Sequence, residues 1–538
     1  MKKIIIGTRG SDLALWQAKH AQHLLYQYRI ESELKIIQTS GDKNQAWQTS
    51  FDTLEGKNFF TKELEEALLN NEIDIAIHSL KDVEYIPDEN SVHIQKPLIL
   101  AGFSSRHHPH DLLILHKDAV DTNAVLSIKK YAKIGTASAR RYTQLKTLRE
   151  DLEILPLRGN VPTRIQKLKN RQYDGIILAR AGIERLNIPL DEFFVNPLPL
   201  YYFVPAAGQG IITFQIRQTD TELFNIIQKI SDPVSEECAK IERHLLKYIG
   251  SGCSKPTGIL CEKQNNVFHL YISFNTHKEE TAIVSTHQHL SPELLVEKAR
   301  QNIQHIKQYI HQPIDKKIFI SRSLDTTSYL KKLCQRLHWL LCDKALIQTK
   351  PLTIRQVPHT DWIFFNSKNA IKYLFESAYK DILQNKKLAC IHQSTAKYLE
   401  KYGFTATFTG TGNNIEQIAE DFLKQGNPQS VLFPCSTISL KRIGKIIERQ
   451  TKVYYLPVYE TIETPVSFNE SFDVLIFTSP SNVRSFLKQN IIPPHSRLIA
   501  LGKSTQSELL KHQIPADHIF LPLTFDEWAI AGTLISIL

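Results

Sequence analysis

The sequence has few of the features that mark membrane, secreted or low-complexity proteins. No stretch reaches the roughly 18 consecutive apolar residues of a membrane-spanning helix, and the apolar run near Met1 covers only Ile4, Ile5 and Ile6. We therefore expect neither a transmembrane helix nor a signal peptide. The 7 scattered cysteines do not make a disulfide framework, which favours a reducing cytoplasm. The 21 glycines and 24 prolines exclude a collagen-like or proline-rich repeat.

The chain is rich in hydrophobic residues, and its charges are unevenly distributed. With 538 residues, 42% of them hydrophobic, three to four domains are expected at about 150 residues each. The net charge of +10 suggests nucleic-acid binding, yet residues 1–100 carry 11 Lys/Arg against 15 Asp/Glu. Residues 140–185 carry 11 basic residues, 8 of them arginine, against 5 acidic ones. Because arginine pairs bidentately with carboxylates and phosphates, this segment indicates an anion-binding region rather than a nonspecific basic tail.

Strand and helix patterns alternate along the whole chain, which predicts an α/β protein. In the first part, strands at 3–6, 34–38 and 73–77 alternate with helices at 13–28 and 61–70. A polar stop at 311–313 precedes a fresh strand at 317–320, so we place a major boundary near 310–316. Later strands are predicted at 362–365, 388–391, 431–433, 474–477 and 498–501.

Two single residues stand out for their chemistry. Cys253 lies in a glycine-containing loop and is followed by Lys255, which favours an exposed, partly ionised thiol over the buried cysteine that is more usual. Asp82 follows a strand, at the end where open α/β sheets place their ligands. The alternative for Asp82 is a surface ion pair with Lys81.

The arginine-rich segment predicts an anion site, whereas a pair of glycines and a group of histidines elsewhere give little support for a nucleotide or metal site. Thr136, Ser138, Arg140 and Arg141 follow a strand end, which favours an anion at a helix N-terminus over solvated helix faces. The sequence 410–412 lacks the third glycine of a dinucleotide motif. The histidines at 107–110 have no supporting cysteine or carboxylate motif, so we predict no metal site.

Six segments in order resemble the porphobilinogen deaminase (hydroxymethylbilane synthase) family over about residues 1–310. They are 7–18, 76–83, 135–141, 157–164, 206–210 and 252–256. The resemblance implies two periplasmic-binding-protein-like domains, at 1–98 with 203–221 and at 99–202, and a small α/β domain at 222–312. It also implies a dipyrromethane cofactor on Cys253. Four porphobilinogen units are added to it with loss of ammonia, and hydroxymethylbilane is released.

The same resemblance implies roles for individual residues. Asp82 and Lys81 match catalytic positions, and Asp82 is expected to hold pyrrole N–H groups, stabilise the cation left by ammonia and assist proton transfer. The cofactor-binding positions are Cys253, Lys81, Thr136, Ser138, Arg140 and Arg141, and the substrate-binding positions are Arg9, Ser11, Arg158, Arg164 and Arg185. The chain departs from the family at Asn58, Phe59, Gln215 and Ser251.

Residues from about 316 onward resemble, more loosely, the uroporphyrinogen-III synthase family. That family implies two α/β domains, here 316–350 with 462–538 and 351–461, with connecting strands near 349–354 and 458–465. Tyr459 matches a tyrosine that assists loss of a hydroxyl group, and Ser367, Thr395, Ser479 and Thr505 match substrate-binding positions. Each of these serines and threonines is also an ordinary turn residue. His392 and Lys503 depart from the family pattern.

These expectations combine into a two-step enzyme of tetrapyrrole (heme) biosynthesis, a transferase followed by a lyase. Its partners would be porphobilinogen and a linear tetrapyrrole, without nucleic acid or membrane, and we expect a cytoplasmic monomer. Three alternatives stay open: a deaminase with a degenerate second half, a non-catalytic ligand-binding sensor and a basic nucleic-acid binder. The last predicts strongly salt-dependent binding.

Overall fold

The computed structural model describes residues 3–39, 61–83, 97–122, 124–250, 256–275, 280–312, 314–379, 385–411, 414–439 and 441–538. The chain forms two compact units. Unit 1 comprises Met1–Asp315, Thr326–Trp339 and Asp526–Leu538, and unit 2 comprises Lys316–Asp325 and Leu340–Phe525. The chain therefore leaves unit 1 and returns to it twice.

The first lobe of unit 1 is a five-stranded sheet with helices alongside. Its elements are β1 (Ile4–Thr8), α1 (Asp12–Gln27), β2 (Ser32–Ile36), α2 (Lys62–Leu69), β3 (Ile75–Ser79) and β4 (Leu98–Phe103). β1 pairs in parallel with both β2 and β3. The buried side chains Ile6, Ile75 and Ile77 from these strands pack on Ala18 and Leu25 of α1, which is the amphipathic pattern that predicted this helix.

The second lobe repeats the arrangement of the first. Its elements are β5 (Asp111–His116), β6 (Lys133–Thr136), α3 (Ala139–Leu148), β7 (Glu153–Pro156), α4 (Val161–Lys169), β8 (Gly175–Ala179), α5 (Arg180–Arg185) and β9 (Phe193–Pro197). The chain then returns to the first lobe as β10 (Ile212–Arg217). The strand orders are β2-β1-β3-β10-β4 and β7-β6-β8-β5-β9. In each lobe, three parallel strands are followed by a strand that runs antiparallel to its neighbours.

A smaller subdomain follows the two lobes and extends to residue 312. The helix before it, α6 (Thr221–Ile230), packs on the core of the first lobe and against β4. The subdomain itself contains α7 (Pro233–Ile249), β11 (Gly258–Gln264), β12 (Val267–Phe274), β13 (Ile283–His289) and α8 (Pro292–His311). The three strands form an antiparallel sheet in the order β11-β12-β13. The chain then enters unit 2 with β14 (Lys317–Ile320) and returns to unit 1 for α9 (Tyr329–Arg336).

Unit 2 contains two sheets of mostly parallel strands. Its further elements are β15 (Leu340–Asp343), β16 (Ile347–Pro351), β17 (Trp362–Phe365), α10 (Lys368–Phe375), β18 (Lys387–Cys390), α11 (Gln393–Glu400), β19 (Phe408–Thr409), α12 (Ile415–Gly426), β20 (Ser430–Ser436), α13 (Arg442–Ile447), β21 (Lys452–Glu463), β22 (Val474–Phe477), α14 (Pro480–Leu487), β23 (Arg497–Ala500), α15 (Lys503–Lys511) and β24 (Ile519–Phe520). The sheets have the orders β15-β14-β22-β23-β24 and β16-β21-β20-β17-β18-β19. β16 and β21 pair antiparallel and overlap the connecting strands that the sequence predicted.

The last helix, α16 (Glu527–Ile537), belongs to unit 1. Here the structure differs from the predicted domain limits, which assigned 316–350 and 462–538 to one synthase-like domain. The physical reason is packing: α9 and α16 lie against each other, and α16 lies against β13 of the small subdomain. Among the described residues, no helix is long and apolar enough to cross a membrane.

Candidate active site

Asp82 lies in a tight turn that two segments of the first lobe hold in place. β3 ends at Ser79, and residues Leu80–Asp82 form a single 3-10 turn. The Leu80 side chain is buried, and its amide donates to the Ile211 carbonyl at 3.0 Å. Gly208 packs directly on it, with a φ of +74° and only 2.6 Å between the position of an added Cβ and Leu80 Cγ. The turn thereby exposes Asp82 and leaves Lys81 half-buried.

Positive side chains from the second lobe lie close enough to Asp82 and Lys81 to affect, or be affected by, their charges. Burial lowers the pKa of Lys81, and the neighbouring Arg141 lowers it further, while Asp82 acts in the opposite sense. Burial likewise lowers the pKa of Arg164 to about 10, with Arg141 adding to the shift and Asp82 opposing it. These mutual influences mean that the predicted Lys81, Asp82, Arg141 and Arg164 occupy one region. Such a region favours anionic ligands, and it also tolerates a cation beside Asp82.

Arg140 and Arg141 are held by a buried carboxylate that the sequence analysis missed. Asp111, at the start of β5, accepts from Arg140 Nη1 at 2.9 Å and from Arg141 Nη2 and Nε at 2.7 and 3.1 Å. All three side chains are buried. Burial would raise the pKa of Asp111, but Arg140 and Arg141 outweigh it and hold that pKa well below its ordinary value. A charged residue opening the apolar strand sequence DLLIL was the available signal.

The predicted hydroxyl groups of the second lobe lie at the start of α3. Thr136 is buried at the end of β6, and its Oγ1 accepts from the Ser138 amide at 3.3 Å. Ser138 is the N-cap of α3 and accepts from the Arg141 amide at 3.5 Å. A helix N-terminus that follows a strand favours a negatively charged group, as expected from the sequence.

The remaining predicted arginines lie on both lobes. Arg164 Nε donates to the Gly159 carbonyl at 2.7 Å, and Arg185 Nη2 donates to the Gly210 carbonyl at 2.7 Å. Burial lowers the pKa of Arg185 to about 10. Its guanidinium also lies 5.6 Å from the ring centre of Trp16. Arg9 and Ser11 are half-buried beside the N-terminus of α1, and Arg158 is half-buried before α4.

A buried polar chain lies behind the Asp82 turn. His78 Nε2 and Gln215 Oε1 are 2.9 Å apart, and Gln215 Nε2 donates to Glu65 Oε1 at 3.4 Å. Burial lowers the pKa of His78 to about 4, although Gln215, Glu65 and Asp82 act in the opposite sense. Gln215, one of the departures from the family pattern, therefore hydrogen-bonds a neutral histidine.

The predicted Cys253 lies outside the described residues, as do Asn58, Phe59 and Ser251. The preceding helix, α7, ends at Ile249 and is capped by Gly250, whose φ of +73° is a left-handed value that favours glycine. Glu242 of α7 is fully buried and accepts from Arg106 Nη2 at 2.6 Å and from the amides of Gly208 and Cys261 at 2.6 and 2.8 Å. It therefore ties the small subdomain to the segments that cross between the lobes.

In unit 2, the structure brings Tyr459 and Ser367 together. Tyr459 lies on β21, its Oη is 3.3 Å from Ser367 Oγ, and its ring stacks on Tyr373 at 5.4 Å. Burial raises the pKa of Tyr459, so its hydroxyl keeps its proton at neutral pH. Ser367 is also the N-cap of α10, accepting from the Ala370 amide at 3.1 Å.

The other predicted residues of unit 2 lie at helix N-termini that follow strands. Ser479 caps α14 and accepts from Asn482 Nδ2 at 2.9 Å, while Thr505 of α15 is buried and donates to the Leu501 carbonyl at 3.1 Å. Thr395 is buried in the first turn of α11. Phe525 lies 6.4 Å from the ring of His392, which precedes α11, and an added Cβ on Gly502, which precedes α15, would lie 3.4 Å from it. Phe525 thereby brings these two helix starts together.

Within the described ranges, no group of three His, Cys, Asp or Glu side chains is placed to hold a metal ion.

Two family models match successive parts of the chain, in the same order as the two sets of motifs in the sequence. Residues 4–225 match the family model "Porphobilinogen deaminase, dipyromethane cofactor binding domain", and residues 344–520 match "Uroporphyrinogen-III synthase HemD". Porphobilinogen deaminase of Syntrophomonas wolfei is 39% identical over 272 residues, which is 50% of this chain and 84% of that protein. The Helicobacter hepaticus protein of the same name is 38% identical over 268 residues, 49% of this chain and 78% of its own.

Similarity to solved structures is more distant. Uroporphyrinogen-III synthetase from Helicobacter pylori is 20% identical, with a TM-score of 0.32, and covers 41% of this chain and 100% of its own. An arginine-specific periplasmic binding protein of Salmonella typhimurium is 14% identical, with a TM-score of 0.26, and covers 44% of this chain and 94% of its own.

Proposed function

The chain belongs to the porphobilinogen deaminase family, and we propose how its two units perform successive steps of tetrapyrrole (heme) biosynthesis. Unit 1 joins four porphobilinogen molecules in turn, releases one ammonia for each, and frees the chain as hydroxymethylbilane by hydrolysis with water. Unit 2, which contains the match to uroporphyrinogen-III synthase, closes that product to uroporphyrinogen III and releases water. The observation that carries the first step is the exposed Asp82, whose charge acts on the neighbouring Lys81 and on Arg164 of the second lobe.

The residues of unit 1 fit a dipyrromethane cofactor and a growing pyrrole chain, both rich in carboxylates. Lys81, Arg140, Arg141 and Arg164 lie close enough for their charges to influence one another, and a polycarboxylate neutralises such a cluster. We propose that the cofactor is attached to Cys253 by a thioether. Its carboxylates would be held by the side chains of Lys81, Arg140, Arg141, Thr136 and Ser138. When bound, the cofactor supplies the pyrrole carbon to which the first substrate is joined.

Asp82 performs the reaction steps in this proposal. Loss of ammonia from porphobilinogen leaves a cation, and a carboxylate held at a fixed position beside it stabilises that charge as it develops. The same carboxylate accepts hydrogen bonds from pyrrole N–H groups and moves a proton when the new carbon–carbon bond forms. Arg9, Ser11, Arg158, Arg164 and Arg185 are proposed to hold the substrate's carboxylates.

In unit 2, Tyr459 is proposed to assist departure of the hydroxyl group from hydroxymethylbilane. Its raised pKa keeps the phenol protonated, and a protonated phenol donates a hydrogen bond to a leaving oxygen. Ser367, Thr395, Ser479 and Thr505 are proposed as hydrogen-bonding partners of the substrate. The phenol is held beside Ser367 by its stacking on Tyr373, which limits its rotation.

Product analysis tests both steps. Purified full chain is supplied with porphobilinogen and the uroporphyrinogen isomers are separated after oxidation. Isomer III supports both units, isomer I alone supports only the deaminase, and folded protein that consumes no porphobilinogen refutes the proposal. Asp82→Asn is expected to lower turnover by about a hundredfold or more, and Asp118→Asn, at an exposed aspartate of the second lobe, is the matched control.

Intact mass tests the cofactor attachment independently of turnover. The full chain should carry a covalent dipyrromethane increment that Cys253→Ser removes. Cys342→Ser, which changes a half-buried thiol of unit 2, should leave the increment in place. A mass equal to that of the bare polypeptide would contradict the attachment. We further propose that the chain acts as a monomer in the cytoplasm, which light scattering and cell fractionation test.

A further inference from the structure

Two helices that follow the small subdomain in sequence, α9 and α16, are parts of unit 1, and we call them the returning helices. α16 is buried almost all round: Ala529–Leu534 are all buried, and so are Ile535 and Ile537. A helix with apolar residues on every side is a core helix rather than a surface helix. The structure thus makes the end of the chain part of the interior.

α16 lies against β13 and α8. Gly532 allows the closest approach, because an added Cβ there would lie 3.1 Å from Thr286 Oγ1 and 3.2 Å from Thr286 Cγ2. On the neighbouring helix, Asn302 Nδ2 donates to the Ile535 carbonyl and Tyr309 Oη donates to the Leu538 carbonyl at 3.4 Å. The last carbonyl groups of α16, which have no partners within the helix, are satisfied in part by α8.

α9 is hydrogen-bonded to the segment that leads into β13. Tyr329 Oη donates to the Ala282 carbonyl at 2.8 Å and accepts from the Val284 amide at 3.1 Å. Arg336 donates to the Thr281 carbonyl and pairs with Glu280. These bonds join a strand of the small subdomain to a helix more than 40 residues later in the chain.

The returning helices also contact the second lobe. Trp528 stacks on Tyr329, with ring centres 3.5 Å apart, and lies 5.4 Å from the ring of Tyr202, which precedes the crossing back to the first lobe. Lys332 of α9 pairs with Glu150, just after α3. The Trp528 ring of α16 therefore contacts both Tyr329 of α9 and Tyr202 of the segment that joins the two lobes.

We infer that the returning helices hold the small subdomain of unit 1 to its second lobe, and that unit 1 is not complete without the end of the chain. The interaction surface is the face formed by β13 and α8, and its partner is this chain's own C-terminal helix. A break near 310–316 would therefore expose an apolar face instead of releasing an intact enzyme.

Hydrogen exchange on the full chain tests this inference. Gly532→Val adds a branched side chain whose Cβ alone would lie 3.1 Å from Thr286 Oγ1, and Trp528→Ala removes the ring that contacts Tyr202 and Tyr329. Both should raise amide exchange in β13 and α8 by roughly tenfold or more, although neither substitution lies in those elements. Trp528→Phe, which keeps an aromatic ring, should stay close to the unchanged protein. Phe486→Ala, in the core of unit 2, should raise exchange there and leave β13 and α8 unchanged.

The outcomes separate this inference from the proposed function. If Gly532→Val and Trp528→Ala raise exchange only within α16 or unit 2, the inference is overturned. A second readout rests on the proposed function: porphobilinogen consumption should fall in both variants and persist in Phe486→Ala. If the unchanged protein consumes no porphobilinogen, the proposed function fails, while the exchange result still decides the inference.

Discussion

Asp111→Asn offers the sharpest test of how the arginines of unit 1 are held. The Asp111 carboxylate is fully buried and accepts from Arg140 and Arg141, and from Gln209 Nε2 at 3.0 Å. The amide replaces one negative oxygen by an NH2 group that faces these donors, which leaves two buried guanidinium groups without a counter-charge. Breaking a buried ion pair by removing one partner costs about 3–5 kcal/mol. We expect the second lobe to lose stability in that range.

The assay is hydrogen exchange in β5 and α3, because the two units need not unfold in one step. A loss of 3–5 kcal/mol corresponds to an increase in exchange of roughly a hundredfold to a few thousandfold. Asp118→Asn is the matched control, since Asp118 also pairs with an arginine at 2.7 Å but both side chains are exposed. An exposed pair contributes little, and we expect no measurable change. Equal exchange in the two variants would refute the reasoning.

The pH dependence gives a second check on Asp111. Arg140 and Arg141 hold its folded pKa below the ordinary value, so its contribution to stability is present above the unfolded pKa of about 3.9 and is lost as the pH falls through the folded pKa. The stability difference between the unchanged protein and Asp111→Asn should therefore be constant from about pH 5 to 8. It should shrink only below about pH 4.

Two further predictions concern His78 and Tyr459. Because burial lowers the folded pKa of His78 to about 4, unfolding takes up a proton as the pH falls below about 6.5, and the first lobe should lose about 2 kcal/mol between pH 7 and 5; denaturant titrations should show a smaller loss in His78→Gln. Equal losses in both proteins would contradict this. Tyr459→Phe keeps the stacked ring but removes the hydroxyl, so the product should shift from uroporphyrinogen III to isomer I, as measured by chromatography. Tyr373→Phe, whose hydroxyl bonds Thr349 instead, should keep isomer III.

Local patterns predicted the elements that carry the site well. The strand before Asp82 was expected at 73–77 and lies at Ile75–Ser79, and the predicted strand 474–477 coincides with β22. Alternation of apolar strands with amphipathic helices fixes such elements over short stretches of chain. It also placed Asp82 directly after a strand, where its exposure follows from the turn.

Pairings between distant residues could not be predicted in this way. Asp111 meets Arg140 and Arg141 across about 30 residues, and Asn302 meets Ile535 across 233. The hydrophobic pattern of a segment does not indicate which distant side chain a buried charge will pair with, because that pairing depends on the order of the strands in the sheet. For the same reason, the sequence assigned α16 to the second half, although its apolar composition already indicated a buried helix.

The charges around Asp82 lead to a last prediction, in which binding and turnover change in opposite directions. Among the described residues, the carboxylates that act on Lys81 are those of Asp82 and Asp111, and Asp82 also acts on Arg164. Taken with Arg140 and Arg141, these six side chains carry a net charge of +2 (four minus two). Asp111 keeps the buried guanidinium groups in place, while the surplus remains available for the substrate's carboxylates. Asp82→Asn raises the surplus to +3, which should strengthen binding of a polycarboxylate and remove the charge that stabilises the cationic intermediate. We therefore expect KM for porphobilinogen to stay the same or fall while kcat falls by about a hundredfold or more. Steady-state kinetics would contradict this account if KM rose while kcat was preserved, because Asp82 would then act in binding alone.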